Sequence, residues 1–274
     1  MVKIDTITSQ LVEKEPGYWV SKDHTPVSYP ADGMDFTFQL EEQSYWFIHR
    51  NRCISAVLQA FPPQGILYDI GGGNGFVSLA ARNMGIETVL VEPDPTGSHN
   101  ALQRGLRPVI AASLDDAGFA PQSLNAVGLF DVLEHIEDDA AFLKKLHTLV
   151  RPDGKLYLTV PAYQSLWSTD DASAGHFRRY ERRRLNRLLE SAGFSICFSS
   201  YMFMLLPLPI ALFRALPSRL GWRGPTHLDS EATRSEYVAG GGLLESLFKI
   251  ECFFLARRLV LPFGGSLLVA AVRR

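Results

Sequence analysis

The segment Ile66-Leu67-Tyr68-Asp69-Ile70-Gly71-Gly72-Gly73-Asn74-Gly75-Phe76 is the most informative part of the 274-residue chain. Its first half is a short apolar run, which predicts a buried strand, and the residues that follow it have the pattern of a helix start. The glycines between them let the backbone turn sharply and let a ligand lie against it without a Cβ in the way. Because open α/β sheets bind ligands at the carboxyl ends of their strands, we expect a ligand here.

These glycines do not fit the spacing of a dinucleotide site, and the sequence excludes a P-loop. The dinucleotide fingerprint G-x-G-x-x-G would require a glycine at Phe76 or Val77, and no Gly-Lys-Ser/Thr is present for a P-loop. The pattern that remains is Asp-x-Gly-x-Gly-x-Gly, carried by Asp69, Gly71, Gly73 and Gly75. It resembles the first motif of class I S-adenosylmethionine-dependent methyltransferases. The resemblance implies that these four residues shape the methionine and ribose side of a bound S-adenosylmethionine.

Composition narrows the function further. A formal net charge of −2 provides no overall field that would favour nucleic acid. The three cysteines, Cys53, Cys197 and Cys252, form no C-x-x-C pair, which argues against a disulfide framework or a zinc site and indicates a reducing compartment. Residues 1–14 carry charges and no apolar core run, unlike a signal peptide. We therefore expect a cytoplasmic protein with no metal site and no nucleic-acid partner.

Strands and helices alternate downstream of the glycine turn. The predicted elements are helix 76–84, strands 88–91, 108–112 and 126–130, helix 138–150, a turn at 151–154, strand 155–160, helix 181–192 and strand 194–198. Such alternation indicates right-handed βαβ units and a parallel sheet. Together with the resemblance, it implies an α/β fold: a Rossmann-like seven-stranded sheet, mostly parallel with the last strand antiparallel, and helices on both faces.

The second predicted strand delivers an acid to the same edge of the sheet. Glu92 lies 21 residues after Gly71, a position suited to accept hydrogen bonds from ribose hydroxyls. A solvated carboxylate at a strand end is the alternative. The resemblance implies that Pro93 lies near the adenine edge and that Ser113, Leu114 and Phe130 flank the adenine. Many relatives carry an acid where Ser113 stands, so the backbone of Ser113 and Leu114 would replace that contact.

The residues before the glycine turn have less periodicity. We expect residues 1–44 to form an arm around the domain, irregular over 1–40, with helical spacing from Leu40 to Leu58 ending at Pro62-Pro63. The pattern Tyr45-Trp46-Phe47-x-x-Arg50 resembles a leader helix of these methyltransferases, which implies that Arg50 faces the cofactor. A core-packing helix with one solvated arginine is the alternative.

Three residues are candidates for catalysis. The run from Asp131 to Asp138 resembles the segment after strand four in the ubiquinone-biosynthesis type of methyltransferase (methyltransferase type 11). The run His176-Phe177-Arg178-Arg179-Tyr180 resembles a segment that borders the methyl acceptor in relatives. A general base is needed only if the acceptor loses its proton late, and the candidates are His135, His176 and Tyr180. Local hydrogen bonding of His135 and a surface packing network around Tyr180 are the alternatives.

The chain departs from the family pattern after residue 200. An apolar run of 13 residues, Tyr201 to Phe213, and an apolar helix at about 243–260 precede a final strand at 266–274, with a polar, Gly-rich segment at 221–242 between them. The run is too short to span a bilayer. Residues 201–265 would be an insertion that forms a lid over an apolar acceptor, a peripheral membrane contact through 201–223 with arginines at the headgroups, or a homodimer contact. The methyltransferase core would be 45–200.

The sequence therefore predicts a methyltransferase that uses S-adenosylmethionine, releases S-adenosylhomocysteine and acts on a small or lipid-like acceptor. Two alternatives remain open at this point. A nicotinamide-dependent oxidoreductase would share the sheet, and a non-catalytic S-adenosylmethionine-binding module would share the glycine turn and Glu92.

Overall fold

The computed structural model describes residues 4, 8, 10–22, 33–221 and 242–274. Nine strands in these residues form one sheet: β1 Leu11–Glu15, β2 Tyr18–Ser21, β3 Leu67–Ile70, β4 Thr88–Val91, β5 Val109–Ala111, β6 Leu124–Phe130, β7 Val150–Pro161, β8 Phe194–Met202 and β9 Ser266–Arg273. Their order in the sheet is β1-β2-β5-β4-β3-β6-β7-β9-β8.

The helices flank this sheet. They are α1 Gly33–Leu40, α2 Tyr45–Ala60, α3 Phe76–Asn83, α4 Pro95–Gln103, α5 Asp139–Leu149, α6 Thr169–Ser173, α7 Arg182–Ser191, α8 Pro207–Ile210, α9 Leu216–Arg219 and α10 Gly242–Ala256. A π-helical turn, Ala211–Ala215, joins α8 to α9, and short 3₁₀ turns lie at Leu133–His135 and Gln164–Leu166. No helix in the described part of the chain is long and apolar enough to cross a bilayer.

The predicted fold class is confirmed. Strands β5, β4, β3, β6 and β7 are parallel, and β9 pairs antiparallel with both β7 and β8. The glycine turn follows β3, which lies between β4 and β6 and is buried along its whole length. This arrangement brings the carboxyl ends of β3, β4 and β6 to one edge of the sheet, where ligands of such sheets bind.

The sheet has two more strands than we predicted, because residues 11–21 are not an irregular arm. They form the hairpin β1–β2, whose second strand pairs in parallel with β5. The N–H of Val109 donates to the carbonyl of Gly17 over 2.9 Å, and Gly17 makes the hairpin turn at φ +76°. Most side chains of β1 are exposed, so the sequence has no alternation of apolar and polar residues that would predict this strand. Its position depends on backbone pairing and not on burial.

The leader helix also begins later than predicted. Leu40 ends α1, and α2 begins at Tyr45 because Ser44 caps it: the Ser44 hydroxyl accepts from the Trp46 N–H over 3.3 Å. Of the other predicted boundaries, the turn at 151–154 is instead a bulge within β7, where the register against β6 shifts.

The insertion is helical in both described parts. The strand β8 continues to Met202, and helical backbone then covers 207–219 despite three prolines. Pro207 occupies the first turn of α8, where its missing N–H is not needed. The second helix, α10, ends at Ala256 rather than near 260. The Gly-rich segment predicted at 221–242 lies almost wholly outside the described residues.

Candidate active site

A cavity of about 910 Å³ opens at the carboxyl ends of β3, β4 and β6. Its size is within the range of small-molecule and cofactor sites. Apart from Gly75 and Tyr180, all the predicted site residues line it, namely Arg50, Asp69, Gly71, Gly73, Glu92, Pro93, Ser113, Leu114, Phe130, His135 and His176. Except for Arg50, which is on α2, the predicted residues that line the cavity lie at or after the carboxyl ends of five strands, β3 to β7.

The glycine turn is shaped for close approach of a ligand. Gly71, Gly73 and Gly75 have φ values of +67°, +54° and +78°, a region that other L-residues rarely occupy. A Cβ on Gly71 would lie 2.8 Å from Val132, whereas the nearest atom of a described residue to a Cβ on Gly73 would be the Met34 sulfur at 3.8 Å. The backbone at Gly73 therefore faces the open cavity. Gly75 does not line the cavity, and it caps the start of α3.

Asp69 is a fully buried acid at the end of β3. Its Oδ2 accepts a hydrogen bond from the Ser78 hydroxyl over 2.7 Å, and its Oδ1 has no partner among the described residues. Burial raises the pKa of Asp69 to about 6, although the hydrogen bond from Ser78 opposes the shift. An unpartnered buried acceptor costs free energy, so a ligand that donates a hydrogen bond there is stabilised.

Glu92 ties the end of β4 to the glycine turn. Its two carboxylate oxygens accept from the N–H of Gly73 over 2.7 Å and from the N–H of Asp94 over 2.8 Å. Burial raises its pKa to about 7 against the effect of these two bonds. Because each carboxylate oxygen can accept two hydrogen bonds, the side chain retains acceptor capacity toward the cavity. Glu92 is 3% exposed, so the solvated-carboxylate alternative is wrong.

Arg50 joins the leader helix to the end of β6. Its guanidinium donates to the carbonyl of Phe130 over 2.8 Å and to the carboxylate of Asp131. Its carbon Cζ lies 5.8 Å from the ring centre of Trp46. Arg50 is buried and lines the cavity, so the alternative of a solvated arginine is wrong.

The predicted adenine side is built from three loops. Pro93, Ser113, Leu114 and Phe130 all line it. The Ser113 hydroxyl donates to the Asp116 carboxylate over 2.8 Å and accepts from the Asp116 N–H over 3.1 Å. The Ser113 hydroxyl therefore uses its one donor within its own loop.

Two histidines meet on the other side of the cavity. The rings of His135 and His176 make an edge-to-face contact with centroids 4.7 Å apart. Asp171 accepts from His176 Nδ1 over 3.0 Å and from Arg179 Nε over 2.8 Å. Burial alone would raise the pKa of Asp171, but the hydrogen bond from His176 and the charge of Arg179 lower it overall. An ionised Asp171 thus holds the His176 ring with Nε2 directed away from it.

Tyr180 is not brought to the cavity. It is buried, and its hydroxyl lies 3.2 Å from the carbonyl of Leu133 and 2.9 Å from the Asp139 carboxylate. Burial raises its pKa far above the usual range, with the Asp139 charge acting in the same direction. The packing alternative therefore describes Tyr180, because its hydroxyl fixes the 3₁₀ turn that carries His135.

We predicted no metal site, but three potential metal ligands lie together on this side of the cavity. One ligand atom each from Glu134, His135 and His176 lies within 4.8 Å of the others. Burial, and next the charge of Asp131, raise the pKa of Glu134 well above its usual value. A carboxylate and two imidazoles form a ligand set that suits a divalent cation. The sequence hid this set because His176 lies 41 residues beyond His135.

Sequence reasoning missed the lining that α1 contributes. Met34, Thr37 and Leu40 line the cavity from a segment that we expected to be irregular. The amide nitrogen of Asn74, in the glycine turn, donates to the Met34 carbonyl and to the Thr37 hydroxyl, each over 3.0 Å. A buried amide such as that of Asn74 requires hydrogen-bond partners, so Asn74 indicated that some other segment packs on the glycine turn. The neighbouring sequence does not identify that segment.

The first part of the insertion also reaches the cavity. Arg214 lines it and its Nε lies 3.6 Å from the Asp170 carboxylate. The neighbouring Arg219 donates to the carbonyl of Ser165 over 2.6 Å. Arg214 and Arg219 therefore both contact other parts of the protein, whereas Arg223, the third arginine of the membrane hypothesis, lies outside the described residues.

The sheet, the glycine turn, the paired acids at the ends of β3 and β4 and the open face at Gly73 together fit S-adenosylmethionine. They define a class I S-adenosylmethionine-dependent methyltransferase. The chain belongs to the methyltransferase domain family, whose model matches residues 45–197.

Relatives of known sequence agree with this class. An uncharacterized methyltransferase of Mycobacterium sp. (strain JLS) is 28% identical over 150 residues, which cover 52% of this chain and 59% of the relative. The ubiquinone biosynthesis O-methyltransferase of Stutzerimonas stutzeri is 25% identical over 163 residues, covering 56% of this chain and 59% of the relative. The chain thus spans less than two thirds of the length of these relatives.

Solved structures share the fold. A S-adenosylmethionine-dependent methyltransferase from Thermotoga maritima superposes with a TM-score of 0.53 at 16% identity, covering 90% of this chain and all of that one. The Burkholderia thailandensis 1,6-didemethyltoxoflavin-N1-methyltransferase, solved with its substrate and S-adenosylhomocysteine, superposes with a TM-score of 0.52 at 15% identity, covering 97% and 99%.

Proposed function

We propose that this protein transfers a methyl group from S-adenosylmethionine to a small or lipid-like acceptor. The observation that carries the proposal is the pair of buried acids, Asp69 and Glu92, on either side of the open backbone at Gly73. Asp69 has an unpartnered oxygen and Glu92 has spare acceptor capacity. The two therefore supply the acceptors that a cationic, hydroxyl-rich ligand requires.

When bound, S-adenosylmethionine supplies a methyl group on a positively charged sulfur. The residues of this chain hold the acceptor in line with that methyl group, and such positioning alone corresponds to effective molarities of about 10⁵–10⁸ M in model reactions. Glu92 would hold the ribose, and Asp69 the methionine and ribose side. Arg50 fixes the Phe130 carbonyl and Asp131 and so keeps the end of β6 in place.

His135 and His176 would act on the acceptor. Asp171 accepts from His176 Nδ1, which leaves Nε2 as the atom able to take a proton from an acceptor hydroxyl or amine. A general base of this kind contributes typically about 10²–10⁴-fold to the rate. With a divalent cation held by Glu134, His135 and His176, the same side of the cavity would instead bind and polarise acceptor oxygens.

The segment 203–221 would cover the acceptor. Arg214 lines the cavity and contacts Asp170, while Leu208, Phe213 and Leu220 on the same segment are 67%, 77% and 65% exposed. This segment has a polar contact on its inner side and apolar side chains on its outer side. Such a segment suits an acceptor that has an apolar portion and reaches the cavity from a membrane surface. We therefore favour a lid that also touches the bilayer over a homodimer contact.

Calorimetric titration with S-adenosylmethionine, S-adenosylhomocysteine and NAD in parallel tests the proposal. We expect micromolar binding of the two sulfur nucleosides and none of NAD. Asp69→Asn is the informative variant, because it keeps the shape of the side chain and removes its charge. Binding of NAD alone would favour the oxidoreductase alternative, and tight binding of the nucleosides without methylation of any acceptor class would favour a binding module.

A further inference from the structure

A cluster of thiol, imidazole and carboxylate groups lies where α10 packs on α2, apart from the large cavity. His49 and Cys53 are one turn apart on α2, and Glu251 and Cys252 are adjacent on α10. None of the four lines the large cavity. Cys252 is half-buried and lines a separate surface groove of about 500 Å³, whereas the other three residues are buried and do not line that groove. A small solute can therefore reach the Cys252 thiol from solvent.

The imidazole of His49 lies between a thiol and a carboxylate. Its Nδ1 is 3.7 Å from Cys252 Sγ, and its Nε2 is 3.1 Å from Glu251 Oε1. Burial lowers the pKa of His49, but the hydrogen bonds to Cys252 and Glu251 outweigh burial and raise it overall. The ring is therefore placed to carry a proton on both nitrogens, which stabilises a thiolate at Cys252. An imidazole that is oriented by a third group and lies beside a thiol is the arrangement that activates a sulfur nucleophile.

The surroundings fix both the carboxylate and the imidazole. The two oxygens of Glu251 accept from the N–H groups of Phe203, over 2.5 Å, and Met204, over 3.0 Å. The Phe248 ring stacks on the imidazole with centroids 4.0 Å apart, and Phe203 contacts its edge at 5.0 Å. Because neither group is free to turn, His49 keeps Nδ1 beside the Cys252 sulfur.

The two thiols of the cluster have opposite environments. Their sulfur atoms are 3.7 Å apart, and Cys53 Sγ is 3.4 Å from His49 Nε2. Burial raises the pKa of Cys53 well above its usual value, so this thiol keeps its proton. A hydrogen bond from Cys53 lowers the pKa of Cys252, against burial and assisted by His49. Cys252 is therefore the nucleophile, and Cys53 is a second thiol within contact of any group that forms on it.

We propose that Cys252 is a thiolate that reacts with hydroperoxides, and that Cys53 converts its oxidation product to a disulfide. In the first step Cys252 attacks one oxygen of hydrogen peroxide. The S–O bond forms as the O–O bond breaks, and the leaving hydroxide takes the proton from His49 Nδ1. In the second step Cys53 attacks the sulfur of the sulfenic acid, the S–O bond breaks, and hydroxide leaves with the Cys53 proton as water. The two sulfurs lose two electrons, and one peroxide is reduced to two waters.

The second step requires little movement of the side chains. A disulfide bond is about 2.05 Å long, so sulfurs 3.7 Å apart must approach by about 1.6 Å. Rotation about the Cα–Cβ bonds can move a sulfur by that distance. The bond would fasten α10 to the helix that carries Trp46 and Arg50, both of which line the large cavity. A thiol reductant reverses the step, so the site fits the reducing compartment that the cysteine pattern indicates.

Oxidation of the reduced protein by one equivalent of hydrogen peroxide, followed by alkylation and peptide mass spectrometry, tests this site. We expect a Cys53–Cys252 disulfide that dithiothreitol reverses. Cys53→Ser should instead accumulate a sulfenic acid at Cys252, which dimedone labels. His49→Gln should slow the oxidation of Cys252 at least about 10-fold, because the thiolate loses its charged partner. Cys197 provides the matched control: its thiol is exposed and donates to the Ser195 carbonyl, so Cys197→Ser should oxidise as the unaltered protein does.

Three results would overturn the proposal. They are reaction of Cys197 with peroxide as fast as Cys252, no dimedone adduct at Cys252 in Cys53→Ser, and a sulfinic acid at Cys252 while Cys53 remains a thiol. The first and the third are measured on the unaltered protein, so they do not depend on the folding of a variant. None of these results depends on methyl transfer, so they leave the proposed function untouched.

Discussion

At the scale of single residues, we expect Glu92 to be a principal contact of the bound cofactor. It is buried, it lines the cavity, and it accepts from the N–H of Gly73 in the glycine turn. We expect Glu92→Ala to weaken binding of S-adenosylhomocysteine by about 1.5–3 kcal/mol, the scale of hydrogen bonds to a charged group. Calorimetry measures this change, with Glu190→Ala on the exposed face of α7 as the control. An unchanged affinity in a folded Glu92→Ala protein would remove Glu92 from the site.

The same carboxyl makes stability depend on pH. Its pKa is raised from 4.5 to about 7 in the folded chain, so the folded state binds more protons than the unfolded state between these values. The free energy of unfolding therefore decreases as the pH rises through this window. A shift of this size corresponds to at most about 3 kcal/mol.

Urea unfolding at pH 5, 6, 7 and 8 measures this contribution when the unaltered protein is compared with Glu92→Gln. All other titrating groups are common to the two proteins, so the difference between their slopes isolates Glu92. We expect the unaltered protein to lose more stability than Glu92→Gln between pH 5 and pH 8. Parallel slopes would show that the carboxyl ionises in the folded chain as it does in the unfolded one.

Site residues that lie beside a strand end could be predicted from sequence, and those brought together by tertiary packing could not. Asp69 and Glu92 follow apolar strands directly, so the strand pattern places them at one edge of the sheet. Met34 and Thr37 meet Asn74 only through tertiary packing, and no spacing rule connects them. The prediction that Tyr180 faces the acceptor failed for a related reason. A tyrosine hydroxyl in a predicted acceptor loop can equally point inward and donate to a backbone carbonyl, here that of Leu133.

At the scale of elements, the helical segment 207–219 has a polar inner side and an apolar outer side. Arg214 and Arg219 contact residues that follow β7, and Arg214 lines the cavity. Its outer face carries Leu208 and Phe213, which are largely exposed. Exposed apolar side chains clustered on one short segment indicate a contact surface.

We expect the protein to float with anionic lipid vesicles and Leu208→Glu/Phe213→Glu to remain in the dense fraction. Each apolar side chain contributes about 1.5–3 kcal/mol when it is fully buried, so losing two should lower the partition at least about 10-fold. Val12→Glu is the control, because Val12 is also exposed but lies on β1 at the opposite end of the sheet. If the double variant floats as well as the control, the segment acts as a lid alone.

At the scale of the whole molecule, the alternation of strands and helices was sufficient to predict the parallel sheet but not its edge. The strands β3 to β6 and the second half of β7 are buried, and their apolar runs appear in any hydrophobicity pattern. The hairpin β1–β2 is mostly exposed and is positioned by its backbone pairing to β5. The helix α1 was hidden because its partners, Asn74 and Arg104, are distant in sequence.

Arg104 makes the N-terminal segment an integral part of the fold. It donates to the Glu41 carboxylate over 2.6 Å and to the Asn74 carbonyl over 2.9 Å, and its guanidinium lies over the rings of Phe38 and Phe76 at 4.5 and 5.3 Å. Both partners of the ion pair are largely buried. Removing one partner of such a pair leaves an uncompensated buried charge, which costs about 3–5 kcal/mol.

We therefore expect Arg104→Met to lower the free energy of unfolding by about 3–5 kcal/mol, and Arg104→Met/Glu41→Leu to recover most of that loss, because an apolar pair can replace a buried ion pair. Glu42→Ala provides the comparison: Glu42 is 67% exposed and 3.8 Å from Arg104, and exposed pairs contribute only about 0–1 kcal/mol. Urea unfolding of the unaltered protein and the three variants measures these three changes in the free energy of unfolding. If Arg104→Met cost no more than Glu42→Ala, α1 would be a detachable arm rather than a wall of the cofactor cavity.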